Sequence, residues 1–529
     1  MKTITFISLY DEFCLDLRYT SAMLRHDGHH TETIFFKGLQ YGEAEAGKTP
    51  PEGYCGEGSH ASAKETELLL TALKNKQADL IVFFFTAPYF GLAKYLTHLI
   101  KENFSLPVAW AGRDATFAPE DCIQTCDIVC LGEPEHPIRH LVQAMDRRER
   151  YDTLPGLWNN ENGAIQRNSP LHLETEIDRF PYPDFDRNGK SVIVNNEIIA
   201  APFPPRSHLH TNFIIRVSRN CPFTCPYCQS PHDGIEHTCQ TETRLRSVDN
   251  VIEEIKYRLH TWPTPIERIE FHDEFFPMDR DWVAHFHQRY STEISLPFYG
   301  YTRPHTFDPD VLACLRDARM QALMMRIPAV NAAIQENVFH QTVSADFIKQ
   351  SAQTVMDSGI RLLLECMVSN PLESDAERKE TIALIGELPK RFAVTHHVPF
   401  SYYPNCKVAQ QVEQAGRADL VEQPEGWHTL RAIPTKELLF WECLYTLAHF
   451  EGMEKETVLH FTEDTYMKEK PELLKEMVEN LFGCVYQDNN PLVNKDMYIL
   501  DQRWRLTQAE SQSKTAPVRQ AKRLAELFR

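Results

Sequence analysis

The sequence predicts an α/β protein: a doubly wound parallel sheet, then a second parallel unit that closes as a barrel or partial barrel, then a mostly helical region. Three observations predict it. Residues 1–145 alternate strand and helix patterns. Residues 211–400 alternate again, through six strand–helix repeats without clear hairpin signals. Residues 401–529 lose the strand pattern and read as helices with polar loops such as "YQDNNPLVNKD". Such alternation builds parallel sheets with helices packed on their faces, and 529 residues are too many for one core.

In the first unit "KTITFISLY" is strand-like, "YTSAMLRHDGHH" is a helix with a glycine stop, and "HTETIFF" is a strand. "SAKETELLLTALKNKQ" is an amphipathic helix and "ADLIVFFFT" a buried strand. "YFGLAKYLTHLIKENF" keeps the 3.6-residue period, and "LPVAWAG" and "CDIVCLGE" are strands. A sheet of this kind binds ligands at the carboxyl ends of its strands. Residues 146–210 change character. Asn162-Gly163 signals a hairpin between short strands, and "DRFPYPDF" and "APFPPRSH" are Pro-rich, so this is an ordered connector. In the second unit strands read at "FIIRVS", "RIEFHDEF", "PFYGYTR", "ALMMRIP", "IRLLLECMV" and "FAVTHHVPF", with helices such as "SVDNVIEEIKYRLH" and "DPDVLACLRDA" between them. In a barrel the chemistry sits at the C-terminal strand ends. The aromatics of "SYYPN" and "FWECLY" in the last region read as core.

A net charge of −19 speaks against nucleic acid as the main partner, because nucleic-acid binders carry a basic face. The basic tail "VRQAKRLAELFR" reads as a solvated helix. No run approaches 18 apolar residues, so no membrane span is expected. The N-terminus turns acidic before a signal core could form, and the expected location is cytoplasmic. In a reducing compartment fourteen cysteines are not a disulfide framework. "CIQTCDIVC" spaces Cys122, Cys126 and Cys130 evenly, but across a helix–strand junction, so they read as core. His29 and His30 read as a polar turn.

One stretch does not read as packing. "NCPFTCPYC" holds Cys221, Cys225 and Cys228 in a C-x3-C-x2-C pattern, straight after the first strand of the second unit. Four-iron clusters are held by thiolates, usually four. Three thiolates leave one iron open, as a catalytic zinc leaves one position for substrate. A zinc site, with His232 and Cys239 nearby, and an electron-transfer cluster, for which no fourth Cys lies at standard spacing, are the competing readings.

"CPFTCPYC" resembles the cluster motif of the radical S-adenosylmethionine (SAM) superfamily. The resemblance implies a 4Fe–4S cluster on Cys221, Cys225 and Cys228, with SAM chelated to the open iron and Tyr227 against the ligand. "IEFHDEFF" resembles the family's acidic second-strand motif, which implies Asp273 and Glu274 facing the SAM amino group. "YTRPHTFDPDVLACLRDA" resembles the third unit, with Arg303 at the strand end. "SGIRLLLECMVSNPLES" resembles a later segment that puts Glu373 near SAM. Residues 1–145 resemble the cobalamin-binding domain of one radical SAM class, through "AMLRHDGHHTETIFF", "VAWAGRDATFAPE" and "DIVCLGEPE"; this implies Ala111, Gly112, Thr116, Gly132 and Glu133 at the cofactor. The architecture so implied is a Rossmann-like cobalamin-binding domain (1–145), a Pro-rich connector (146–210), a partial (β/α)6 TIM-like radical SAM barrel (211–400) and a mostly helical C-terminal domain (401–529).

Some residues depart from that pattern. Arg326 and Pro328 stand in "RIPAVN" where relatives carry Gly and Glu, and the later family Arg is missing near "FHQTVS". Phe83, Phe84 and Phe85 replace small residues. No Asp-x-His-x-x-Gly is present to ligate cobalt. The expected activity is reductive cleavage of SAM to a 5′-deoxyadenosyl radical and hydrogen abstraction from an unactivated carbon, leading to cobalamin-dependent C-methylation. Cyclisation or rearrangement by the same radical is one alternative, and an iron–sulfur electron carrier or redox sensor is another. The partners implied are a small-molecule or peptide substrate and an electron donor such as flavodoxin or ferredoxin.

Overall fold

The run "LIVFF" is apolar throughout, and it forms a strand with every residue buried, at the centre of a large sheet. The computed structural model describes residues 1–37, 61–201, 212–221, 223–228, 243–327, 329–388, 395–422, 429–433, 435–448 and 453–482. The first sheet has nine strands: β1 (Thr3–Leu9), β2 (His30–Phe36), β3 (Leu80–Phe84), β4 (Val108–Ala111), β5 (Ile128–Cys130), β6 (Leu157–Glu161), β7 (Ala164–Arg167), β8 (Lys190–Val194) and β9 (Glu197–Ala200). Their order is β7-β6-β5-β4-β3-β1-β2-β8-β9. The run from β5 to β8 is parallel, while β6, β7 and β9 add antiparallel edges.

Side chains on a strand alternate between the two faces. Phe83 joins Trp110 in the layer on one face, and Phe85 and Phe90 meet Trp110 edge-on there; Phe84 joins Phe6, Ala111 and Cys130 on the other. Trp110 satisfies its buried indole N–H by donating to Thr97 Oγ1 at 2.9 Å.

The segment read as a connector instead covers both edges of this sheet. Asn162 and Gly163 (φ 53° and 91°) form the β6–β7 hairpin turn, and Asn195 and Asn196 (φ 52° and 64°) form that of β8–β9. Both turns need two successive positive φ angles, which Asn and Gly supply at least cost. Open strand edges attract wrong partners, and the two hairpins cap them.

The second sheet is all parallel: β10 (Asn212–Ile215), β13 (Arg268–Phe271), β14 (Phe298–Thr302), β15 (Met320–Ile327), β16 (Arg361–Val368) and β17 (Thr395–Pro399), in that order. Between β10 and β13 lies a ribbon of β11 (Ser218–Arg219) and β12 (Arg244–Leu245); β18 (Ser401–Tyr402) pairs with β19 (Leu430–Arg431). Helices such as Val248–Thr261, Arg280–Glu293, Pro309–Asp317 and Ala345–Asp357 join successive strands, and Ser247, Asp279, Asp308 and Ser344 cap them through side-chain acceptors.

The two faces of this sheet differ sharply. Phe213, Ile269, Phe271, Phe298, Leu323, Met325, Leu362 and Leu364 pack with the helices. The alternate positions are Glu270, Tyr299, Tyr301, Met324, Arg326 and Glu365, of which Tyr299, Tyr301 and Met324 form a second layer with Ile214, Ala322 and Leu363. A face with this much charge encloses a chamber rather than a dry core.

Short helices, including Lys407–Gln414, Lys436–Ala448 and Pro471–Phe482, dominate the end of the described chain. The tail from 483, with its basic run, lies outside the described residues, as do His232, Cys239 and Pro328. No described helix is long and apolar enough to cross a membrane.

Candidate active site

Strand β10 delivers the cysteine loop. After β11 the chain turns at Asn220 (φ 71°), a conformation Asn tolerates better than most residues. Cys221 and Cys225 are buried and Cys228 half-buried. The Cys228 N–H donates to the Cys225 carbonyl at 3.0 Å, which closes the loop's last turn. Tyr227, expected against a ligand, packs with Phe339 and Phe400 at 5.5 and 5.2 Å between ring centroids. Through Cys225 and Tyr227 the loop thus sits in an apolar cluster with residues of 400–421, which keeps water from the Cys225 thiol. Burial pushes the Cys221 thiol up, while a backbone N–H and Arg303 oppose it.

Arg303, one residue past β14, does reach this loop. Its Nη1 donates to Cys225 Sγ at 3.4 Å and its guanidinium lies 4.2 Å from the centre of the Phe223 ring. Among the described residues no three His, Cys, Asp or Glu side chains gather around one point, as a single ion would require. A cube asks something else of its ligands, since each thiolate takes a different iron. The donor set and its apolar surround fit a cube.

Arg303 also lines a cavity of about 220 Å³ over the strand ends, with His272, Asp273, Glu274, Tyr301, Thr302, Met324, Arg326 and Glu365. Beneath it Glu270, fully buried, accepts from Tyr299 at 2.8 Å and Tyr301 at 3.1 Å, and pairs with His272 Nδ1 at 3.1 Å. Glu365, also buried, pairs with Arg326.

The two acidic residues of "HDEF" part company. Asp273 borders the cavity, but its Oδ1 accepts from the N–H of Val217 (3.0 Å) and from the N–H and hydroxyl of Ser218 (2.6 Å each). It therefore staples the β10–β11 bend under the cysteine loop. Glu274 carries no such staple and has Arg113 at 3.7 Å. Loss of water raises its carboxyl, but Arg113, Arg326, His272 and Arg216 outweigh that and bring it to about 2. A carboxylate held ionised suits an ammonium group.

Glu373, expected near SAM, does not line the cavity; it is buried at the start of helix Asp375–Glu387. Burial pushes it up to about 7, with Arg378 opposing and Glu377 adding to the rise. Folding therefore favours the protonated acid, and this contribution to stability is complete below about pH 4.5 and is lost as pH rises through 7. A Glu373→Gln variant is expected to match wild type at pH 4.5 and exceed it at pH 8, by about 3 kcal/mol at most, in urea unfolding. Equal stabilities at both pH values would contradict this.

On the first sheet, Ala111 ends β4 and Gly112 follows at φ +98°. Thr116 donates its hydroxyl to Gly112 O at 2.8 Å and accepts from the Gly132 N–H at 2.9 Å, so these four residues form one edge. The rings of Phe83 and Phe85 turn into the core and leave that edge clear; Phe84 lies in van der Waals contact with the Gly112 position. Small residues, two of them glycines at positive φ, with the Phe84 ring alone against the Gly112 position, fit a nucleotide tail.

Glu133, expected at the cofactor, makes a clasp with the cysteine ribbon. It pairs with Arg219 at 3.1 Å and with Arg244, on the two strands that bracket the cysteine loop; Glu135 holds Arg219 at 2.6 Å. The strand ends of the two sheets face each other across further contacts. Arg113 lies 3.7 Å from Glu274, Phe117 stacks on Tyr403, and Asn405 donates to Phe117 O at 2.9 Å.

No protein-family model matches the sequence. TsrM from Kitasatospora setae, a radical S-adenosylmethionine methyltransferase solved with cobalamin and a [4Fe-4S] cluster bound, superposes with a TM-score of 0.61 at 12% identity, over 91% of this chain and 100% of that one. The cobalamin-dependent S-adenosylmethionine radical enzyme OxsB, solved with aqua-cobalamin and SAM, gives 0.61 at 12% identity, over 99% of this chain and 83% of that one. The chain has the fold of the cobalamin-dependent radical SAM enzymes. It is also 25% identical over 297 residues, 55% of its length, to an uncharacterized methyltransferase of Pyrococcus horikoshii, of which it spans 60%.

Within that radical SAM fold, the residues that sequence reasoning passed over are His272, Tyr301 and Glu365, which line the cavity. Arg326, which departs from the family pattern, lines it as well. The available signal was the polar–apolar alternation of "RIEFH", whose polar side turns inward, and the lone charges Arg326 in "LMMRI" and Glu365 in "LLLEC" within otherwise apolar strands.

Proposed function

We propose that this protein is a radical SAM enzyme that reductively cleaves SAM and methylates an unactivated carbon with cobalamin as second cofactor. The observation that carries it is the joining of the three-cysteine loop, through Arg303, to a charged cavity at the ends of a parallel sheet. The arrangement is read as a partial barrel behind a Rossmann-like cobalamin domain. When bound, the cluster supplies the electron that cleaves SAM to a 5′-deoxyadenosyl radical, and cobalamin supplies the methyl carrier.

The chain's own residues bind, orient and exclude water. Cys221, Cys225 and Cys228 hold the cluster and leave one vertex for SAM. Glu274 meets the SAM ammonium, and Arg303 meets its carboxylate as a charge-assisted pair. Ala111, Gly112, Thr116 and Gly132 form the edge that takes the cobalamin tail, and Arg113 and Phe117 flank the space between the two units. The aromatic packing around Tyr227 excludes water from the loop.

The test is anaerobic reconstitution followed by incubation with SAM and dithionite. The expected results are 5′-deoxyadenosine in the extract, an iron content near four per chain, and a corrin absorption spectrum after cobalamin is supplied. A corrin-free protein that still makes 5′-deoxyadenosine would favour cyclisation or rearrangement; a protein that makes none would be an electron carrier.

A further inference from the structure

Two side chains of the cavity share one construction. Arg326 gives its Nε–H to Glu365, and His272 bonds through Nδ1 to Glu270 at 3.1 Å. Both carboxylates are buried, at 1% and 0% exposure, while Arg326 and His272 in front of them are 34% and 39% exposed and line the cavity. Holding each by a single nitrogen leaves the rest free. No described residue takes a hydrogen bond from the Nη nitrogens of Arg326 or from Nε2 of His272. A buried carboxylate behind a histidine or arginine fixes its orientation and favours its charged form.

If SAM is the sole ligand, its one carboxylate does not serve every hydrogen-bond donor in the cavity. SAM brings one carboxylate, and Arg303, already touching Cys225, is placed to meet it. The outward N–H groups of Arg326 and His272, whose inner nitrogens are held by Glu365 and Glu270, are then left without an acceptor. The other charged groups that act on His272 are Glu270, Arg216 and Glu274; on Arg326 they are Glu365 and Glu274, with the neutral Tyr227 phenol beside them. Glu274 is the ammonium partner in the same scheme. A volume of about 220 Å³ also far exceeds the roughly 10–15 Å³ that a single water needs.

We propose that Arg326 and His272 form an anchor for an anionic group on the substrate, a carboxylate or a phosphate, seated across the Arg326 Nη pair and the His272 Nε2–H. This rests on the radical SAM reading. It makes Arg326 and His272 specificity-determining residues and places the substrate's acidic end inside the cavity. Arginine suits both anions because its two parallel N–H groups match their oxygens.

The experiment uses the full chain with its cluster reconstituted. It is titrated with inorganic phosphate and, separately, with succinate, with and without saturating SAM, and thermal unfolding is followed. Arg326→Gln alone would strand the buried Glu365 charge, so Glu365→Gln is made in the same chain. One of the two anions is expected to raise the Tm of the SAM-bound wild type. In the double variant its apparent Kd is expected to weaken by about tenfold or more, the scale of one charge-assisted pair, while SAM binding changes by less than about threefold. A phosphate response identifies a phosphorylated substrate and a succinate response a carboxylate. If SAM binds wild type but neither anion does, or if the double variant loses SAM instead, the anchor is refuted and the SAM reading stands. If SAM itself does not bind, both fall.

Discussion

A Cys225→Ala variant, reconstituted anaerobically, is expected to lose its iron and its 5′-deoxyadenosine formation by roughly two orders of magnitude or more. Loss of even an outer partner of a metal site costs up to about that much, and Cys225 is a proposed direct ligand. The side chain is 1% exposed and accepts from Arg303, so its removal also leaves a buried guanidinium facing a void. Cys221→Ala and Cys228→Ala are expected to behave alike. The informative control is Cys406. It is buried in the same apolar cluster as Cys225 and Tyr227, which makes it the obvious candidate for a fourth ligand. Cys406→Ser is expected to retain full iron and sulfide and to cleave SAM at the wild-type rate. Iron analysis and mass spectrometry of the nucleoside check both, and full iron in Cys225→Ala would contradict the assignment.

An Arg219→Ala variant is expected to lose about 3–5 kcal/mol of stability, the cost of breaking a buried ion pair from one side. Glu135 has no exposed surface and would keep its charge without a partner; Glu133 would retain only Arg244. The ring contacts to Tyr19 and Phe180, at 5.0 and 4.4 Å, would go too. The pair is two residues from Cys221, so iron retention should fall with stability. Arg219→Met combined with Glu135→Gln removes both charges and is expected to recover most of the loss. Urea midpoints at constant slope measure it; a single variant as stable as wild type would show that the clasp carries no energy.

The sequence exposed some layers of this structure and hid others for physical reasons. Strands such as "ADLIVFFFT" and helices such as "SAKETELLLTALKNKQ" follow their hydrophobic periods, because burial on one or both faces dictates them. The cysteine loop was legible because three thiols at fixed spacing have few other uses. The β8–β9 hairpin was missed, although the "NN" pair carries its turn chemistry, because neighbouring prolines dominated the reading. Asp273 and Glu274 are adjacent and chemically alike, and only the fold separates the one that staples Val217 and Ser218 from the one that faces Arg113. Glu133 was read from the strand that precedes it, whereas its partners, Arg219 and Arg244, come from a ribbon more than eighty residues later. Long-range pairing of this kind leaves no local pattern.

The most direct test is Mössbauer spectroscopy of the anaerobically reconstituted, iron-57-labelled protein before and after SAM is added. With three thiolate ligands, one iron of the four should change its spectrum on SAM binding while the other three do not. Four irons that remain equivalent in the presence of SAM, or a site filled by zinc, would contradict the account.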